Sequence, residues 1–272
     1  MKIIRQKKDL NKLISKTNSF SFIPTMGGLH KGHEILIKKA KKKSKNTFVS
    51  IFVNPKQFNS KNDFKTYPRN LKNDIKILKK LKVKFLYCPI YKDVFSFKPE
   101  NKIYLHSFSK KLCGKYRPGH FKGVLDVVNR LLELINPKYI FLGKKDFQQL
   151  ILIKKHIIKN KIKTSVVPCN TIRDQNHLPY SSRNVNLNKL NKLRASKIFN
   201  LIKKEKNLIK RKKNKKINLS NIKKRIFKLG IKKIDYIEAI NLDSLQKAKK
   251  NDENFNIFSA FYVDKVRLID NF

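Results

Sequence analysis

Tryptophan is absent and acidic residues are scarce: 18 Asp and Glu stand against 66 Lys and Arg in 272 residues, a formal charge of +48. Such a surplus ordinarily marks a polyanion partner. The lysines are spread along the whole chain, however, rather than gathered into one stripe or tail. No aromatic residues interleave with them on a single face, as a nucleic-acid platform requires. Asn, Ile and Phe are abundant as well, which fits surface positions drifted toward codons rich in A and T. No specific nucleic-acid partner is therefore expected, and salt-dependent RNA binding would be incidental.

Cysteine is also sparse. Cys88, Cys113 and Cys169 show no CxxC or other metal spacing, and an odd count in so lysine-rich a chain argues for reduced thiols. No run approaches the roughly 18 apolar residues of a membrane span. The opening MKIIRQKKDLNKLISK carries charge without an apolar centre, so it does not read as a secretory signal. The expected compartment is the cytoplasm, with no membrane partner. What the chain does have is a hydrophobic content of 40%, enough for a full core in one large domain or a large one with a small companion.

Short apolar runs at Ser19–Thr25, Thr47–Asn54, Val83–Pro89, Tyr139–Gly143 and Thr164–Cys169 read as strands. Between them, His33–Ser44, Asn70–Lys82, Gly123–Ile135 and Phe147–Lys159 carry helical spacing. Continuous apolar strands alternating with amphipathic helices predict an α/β fold, a Rossmann-like parallel sheet with helices on both faces. After about Ser182 the texture changes. A long basic helix over Asn188–Lys213, a loop over Asn214–Leu219, a helix at Ser220–Leu229 and strands near Asp235–Ile240, Asn256–Tyr262 and Lys265–Ile269 predict a smaller C-terminal α+β domain. The expected division is 1–176 and 177–272. The basic run Lys210–Lys216 reads as a solvated helix end and loop.

The strongest local signal is Pro24-Thr25-Met26-Gly27-Gly28-Leu29-His30-Lys31-Gly32-His33, running from the end of a strand into a helix. Two glycines allow a tight turn and close approach to a ligand. His30 and His33 stand three apart at the helix opening, where both can face one ligand, and a helix N-terminus presents N–H groups to phosphate. Gly32 leaves room between them. Two histidines at this spacing could also bind a metal, but a third ligand would be needed and none is obvious nearby; between a strand and a helix the pair favours a nucleotide triphosphate.

This HxGH element resembles the nucleotidyltransferase superfamily, and the longer string PTMGGLHKGH resembles the pantothenate synthetase family. The resemblance continues in order through SIFVNPKQF at 50–58, YPR at 67–69, RPGHFKGV at 117–124, GKKDFQQL at 143–150, SSRNVNL at 181–187 and RLIDN at 267–271. It covers nearly the whole chain and thins between about 190 and 255. It implies an ATP-dependent condensation of pantoate with β-alanine through a pantoyl adenylate, magnesium as the counter-ion of ATP, and a homodimer. The smaller domain would close over a nucleotide- and pantoate-binding domain.

The resemblance also distributes roles. Met26, Gly27, Gly28, Leu29, His30, Lys31, Gly32 and His33 would line the adenosine and phosphate site, with His30 and His33 stabilising charge at the α-phosphate and His33 as proton donor. Lys145 would reach the phosphates, and Asp146 would accept from the ribose hydroxyls; a helix cap is the plain structural alternative for Asp146. Gly143 and Lys144 complete that edge, although most of the family has an acid where this chain has Lys144. Ser181, Ser182 and Arg183 would meet the β- and γ-phosphates, with Tyr180 beside them and the Ile172 backbone against adenine. Upstream, His177, Pro179 and Tyr180 replace a glycine and small or aliphatic residues. Gln57, Gln149 and Asn54 would bind pantoate near the β-alanine site, turn capping being the alternative for Asn54. Arg117 lies in a segment near that pocket. His120 reads as structural sooner than catalytic, and Asp74 either as an aid to magnesium or as a surface helix acid.

Two other classes stay open on the residues alone. A different HxGH nucleotidyltransferase would want basic residues for a phosphorylated acceptor where this chain offers Gln57 and Gln149. An RNA-binding protein would account for the charge, and a decayed relative of the family is a further alternative.

Overall fold

The computed structural model describes residues 1–16, 19–211, 219–249 and 252–272, which divide into two compact units, Met1–Ile172 and Arg173–Phe272. In the first unit the chain runs β1 (Lys2–Ile4), α1 (Lys7–Ile14), β2 (Ser21–Thr25), α2 (Lys31–Lys43), β3 (Thr47–Ile51), α3 (Lys61–Lys65) and α4 (Leu71–Lys80). It continues through β4 (Phe85–Tyr87), α5 (Tyr91–Phe95), α6 (Cys113–Tyr116), α7 (His120–Ile135), β5 (Tyr139–Gly143), α8 (Phe147–Lys159) and β6 (Ser165–Cys169).

The strands form one six-stranded sheet in the order β1-β4-β3-β2-β5-β6, and every neighbouring pair is parallel. The inner strands β2, β3, β4 and β5 are mostly buried on both faces, as a parallel sheet covered on both sides requires. Ile23, Val49, Leu86 and Phe141 pack with Ile37 and Ala40 of α2 and Leu78 of α4. The alternating positions Phe22 and Phe48 point the other way and join Phe20 and Phe85 in a cluster of tilted and edge-on rings. From β2 the chain builds outward through β3 and β4, then returns to lay β5 on the other side of β2. The order reverses there, and the carboxyl ends of β2 and β5, Thr25 and Gly143, flank the kind of crevice in which such sheets bind ligands.

The expected α/β architecture is thus the observed one, with local differences that have physical causes. β3 stops at Ile51, short of the expected Asn54, because Asn54 caps a 3-10 turn over Pro55–Gln57. α7 begins at His120, three residues before the expected Gly123, because Gly119 at φ = 78° turns the chain into it. α2 begins at Lys31, which places His33 inside its first turn. β1 and α1 were not foreseen, since a three-residue strand is too short for periodicity to register.

The second unit comprises α9 (Lys189–Arg211), α10 (Leu219–Lys228) and the antiparallel sheet β7 (Lys233–Asn241), β8 (Phe255–Val263) and β9 (Val266–Asn271). Ile198, Phe199 and Ile202 of α9 and Ile222 and Ile226 of α10 cover this sheet, with Phe199 5.1 Å from Phe261. Lys212 and Lys213 at the end of the expected helix, the loop over 214–218 and most of the basic run Lys210–Lys216 lie outside the described residues.

The unit begins at Arg173 because that residue is tied to its far end. The guanidinium donates to both oxygens of Asp270 on β9, at 2.5 and 3.1 Å, and also to the His177 carbonyl. The Asp270 side chain is fully buried. His177 itself adopts φ = 65°, the left-handed region that a glycine enters without strain. Replacing Asp270 by Asn would leave Arg173 facing a neutral partner in a largely buried position. Unfolding by urea is expected to report a loss of about 3 kcal/mol, the lower end for a broken buried pair. An unchanged midpoint would show that Arg173 is satisfied without it.

Candidate active site

The turn between β2 and α2 is built from backbone conformations that the sequence makes accessible. Gly27 and Gly28 take φ = 79° and 61°, so two successive left-handed residues reverse the chain before Leu29. The amides of this turn are held by the protein. Gly27 N donates to Thr25 Oγ1 at 3.2 Å, while Gly28 N and Leu29 N donate to the two Asp74 carboxylate oxygens at 3.0 and 2.8 Å.

The histidines complete the pattern. His30 is the N-cap of α2: its Nδ1 accepts from Gly32 N at 3.2 Å, and His33 Nδ1 accepts in return from His30 N at 3.3 Å. This is a capping box made of two imidazoles, whose ring centroids lie 4.0 Å apart. Of the helix-start N–H groups expected to face phosphate, that of Gly32 is taken by His30 instead. A backbone N–H can only donate, so each Nδ1 must be the unprotonated nitrogen, and each Nε2 carries the hydrogen. The helix start is therefore extended by two side-chain donors.

These rings are neutral. Burial drives the His30 pKa down to about 2, with His33 and Lys145 adding to the effect. Burial also lowers His33 to about 4, opposed by Asp146 and aided by Lys145. The same couplings show that Lys145 and Asp146, from the 3-10 turn after β5, stand beside the histidines that follow β2. Lys145 Nζ lies 3.5 Å from Asp146 Oδ1, with the lysine mostly buried and the aspartate half-exposed. Asp146 makes no side-chain cap bond to α8, so its capping alternative is not what the geometry shows. Lys31 and Lys144 are exposed, whereas Met26, Gly28, Gly32 and Gly143 are half-buried along this edge.

Gln57 sits on the turn after β3, buried and held from three sides. Its Oε1 accepts from Asn54 Nδ2 at 3.3 Å, and its Nε2 lies 2.8 Å from Met26 Sδ. Its carbonyl accepts from His120 Nδ1 at 2.7 Å and from Arg117 Nη2 at 3.1 Å. His120 Nδ1 must be protonated to make that bond, so its Nε2 is the acceptor facing Arg117 Nη1 at 3.1 Å. His120 is thus a structural residue of the Gln57 turn. Asn54 is fully buried, accepts from Lys56 N and donates to Gly123 O, which is the capping alternative raised for it. A Cβ on Gly123 would sit 2.3 Å from the Lys56 carbonyl oxygen, so only glycine lets α7 approach this turn.

On α8 the neighbouring glutamines separate cleanly. Gln148 is buried and bonded to Cys113 N, Phe108 O and Lys111 O. Gln149 is half-buried on α8, and no side-chain hydrogen bond ties it to the described residues. Ile172 closes the first unit, half-buried. Tyr180, Ser181, Ser182 and Arg183 belong to the second unit, where Ser181 caps the 3-10 turn over Ser182–Asn186 and accepts from Arg183 N at 3.4 Å. Asp74 is 1% exposed and is no surface acid.

A parallel sheet that gathers two imidazoles and a lysine at its switch point defines the class, an α/β enzyme that handles phosphate. The chain belongs to the pantoate–β-alanine ligase family, whose model, described as Pantoate-beta-alanine ligase, matches residues 2–272. It is 40% identical over 277 residues to the pantothenate synthetase of Francisella philomiragia, spanning 100% of this chain and 95% of that protein. The pantothenate synthetase of Flavobacterium psychrophilum is 35% identical, over 96% of this chain and 94% of its own. Among solved structures, the pantoate–β-alanine ligase of Francisella tularensis complexed with beta-gamma ATP and β-alanine superposes with a TM-score of 0.84 at 39% identity, covering 100% and 97% of the two chains. The pantothenate synthetase of Thermus thermophilus gives 0.92 at 26% identity, covering 100% and 99%.

The depressed histidine pKa values carry a sign that can be tested. An unfolded histidine titrates near 6.5, so between about pH 6.5 and 4 the unfolded chain binds protons that the folded rings refuse. The stability these rings contribute is whole above that window and is lost as pH falls through it. A His30→Asn, His33→Asn double variant should show urea midpoints that fall less between pH 7 and 4.5 than those of the parent chain. Parallel declines would place the acid sensitivity elsewhere.

Proposed function

We propose that this chain joins pantoate to β-alanine with ATP, releasing AMP and pyrophosphate and supplying pantothenate. The observation that carries the reading is the pair of neutral imidazoles, His30 and His33, beside Lys145 where β2 and β5 part. In the first step the pantoate carboxylate attacks the α-phosphorus and the bond to pyrophosphate breaks, giving a pantoyl adenylate. In the second the β-alanine amine attacks the acyl carbon, loses a proton, and AMP departs. Neither step needs a covalent bond to the protein, so catalysis is positioning and neutralisation of charge.

The assignments follow the family resemblance and the chemistry of each group. His30 and His33 offer Nε2–H donors to the oxygens of the α-phosphate, where negative charge develops, and His33 is the proton donor. Lys145 supplies the full positive charge there. Asp146 is assigned to the ribose hydroxyls, with Met26 through His33, Gly143 and Lys144 lining the nucleotide and the Ile172 backbone meeting adenine. Tyr180, Ser181, Ser182 and Arg183 are assigned to the β- and γ-phosphate side on the resemblance. Gln57 and Gln149 present amides to the pantoate carboxylate and hydroxyls. Asn54 is assigned to the same substrate through Gln57, which it orients.

Magnesium is taken to arrive with ATP. Such an ion is kept mainly by phosphate oxygens and water rather than by a protein cage. When bound it would offset charge on the departing pyrophosphate. No helix among the described residues is long and apolar enough to cross a membrane. A homodimer working in the cytoplasm completes the reading.

AMP release by the purified protein should require ATP, pantoate and β-alanine together, and pantoate alone should support ATP–pyrophosphate exchange. Exchange that ignores pantoate would point to another acceptor. His33→Ala or Lys145→Ala is expected to slow adenylation by at least about a hundredfold with the fold intact; near-parental turnover would remove the phosphate assignment. Gln57→Ala should raise the KM for pantoate more than that for ATP, and equal effects would argue against a pantoate contact.

A further inference from the structure

Helix α4 places one carboxylate at the glycine turn. Asp74 lies in its first turn, where Asn70 caps Asn73 N at 3.0 Å and the helix dipole favours negative charge. The side chain is almost wholly buried, yet its two oxygens are not idle: one accepts from Gly28 N and the other from Leu29 N. The fit is close enough to dictate a neighbour. A Cβ on Gly27 would lie 2.9 Å from Asp74 Oδ2, so a side chain at 27 would have to push the carboxylate aside.

The stretch that Asp74 holds is the one that delivers His30. Gly27 and Gly28 are in the left-handed region, and glycine in that region is free to leave it for many others, so the turn needs an external restraint to hold one conformation. Thr25 supplies one at Gly27, itself donating to Ser50 O at 2.8 Å. Asp74 supplies the two that follow, immediately before the residue whose imidazole caps α2. We propose that Asp74 is a positioning residue: by binding the Gly28 and Leu29 amides it sets where His30, and through it His33, stands, and it does so as an anchor of the backbone rather than as a ligand of magnesium. The catalytic part of this inference rests on the ligase reading above; the structural part does not.

Asp74→Asn separates the alternatives, because it keeps the shape but turns one acceptor into a donor facing an N–H. In the full chain, with circular dichroism unchanged, hydrogen–deuterium exchange at Gly28 and Leu29 should quicken by about tenfold or more. The His30 and His33 ring proton resonances should move. Pantoate-dependent ATP–pyrophosphate exchange should slow by about tenfold to a hundredfold, as for a displaced catalytic group. The half-saturating magnesium concentration should stay within about twofold of the parent's, since the phosphates and water hold the ion. Parental amide protection and ring resonances would overturn the anchor. A slowed rate restored by excess magnesium would overturn it in favour of a metal ligand. Should this variant fail to fold, Asn70→Ala, which uncaps α4 and leaves the carboxylate, must give smaller changes in the same three readouts or the proposal fails. If the parent chain itself shows no pantoate-dependent exchange, the ligase reading falls, while amide protection and ring resonances still decide whether Asp74 anchors the turn.

Discussion

Backbone N–H groups between Gly27 and Gly32 have to be answered somewhere, since the turn that carries them is packed against the end of a buried sheet. Thr25, Asp74, His33 and His30 answer Gly27, Gly28 and Leu29, His30, and Gly32 in turn. Much else follows from that pairing. Because each imidazole spends Nδ1 as an acceptor, its tautomer is settled before any ligand arrives. Because the rings are buried beside Lys145, they stay uncharged in the free protein. A neutral donor held in place needs no reorganisation when a phosphate develops charge beside it, which is the condition under which such groups lower a barrier most. The helix start thus presents side-chain donors that its own amides have oriented.

The same logic orders the turn at Gln57, by different means. There the restraint is on a carbonyl rather than on amides: His120 and Arg117 converge on Gln57 O, and Arg117 also donates to His120. Asn54 reaches α7 through Gly123 O, and the missing side chain of Gly123 is what lets that helix come so close. RPGHFKGV is consequently a packing and hydrogen-bonding unit whose object lies some sixty residues upstream in the chain, in the SIFVNPKQF block. A motif of this kind carries function without touching the chemistry.

This bears on how much could be read in advance. β5 and α8 lie where the residue pattern put them, because both are apolar runs with clear polar punctuation. His30 and His33 were legible because a strand end, two glycines and a helix start are contiguous. Gln57 and Gln149 are singled out only by the resemblance, since an isolated glutamine has no pattern. The surface-acid alternative for Asp74 fails because its partners are more than forty positions away, and burial through long-range contact leaves no local signature. Asn54 carries both a ligand and a turn-capping expectation, and the partners its amide finds lie on the Gln57 turn and at Gly123 of α7. The resemblance puts a glycine where this loop has His177, and the backbone there is left-handed, with the carbonyl held by Arg173.

The excess of positive charge can now be given a place relative to the site. Lys31 and Lys144, at its margin, are exposed, whereas Lys145 is mostly buried and is the lysine whose field reaches both histidines. Exposed cations are screened within a Debye length of about 8 Å at physiological salt, so each contributes little to any one contact. Together they draw anions toward the protein, ATP and pantoate among them, without distinguishing one from another. Selectivity is expected instead from groups withdrawn from solvent, of which two neutral imidazoles, one lysine and the Gln57 amide are held by protein partners. A surface can gain lysines by drift without altering that set, provided that Asp74, Asn54, His120 and Arg117 continue to hold the backbone beneath it.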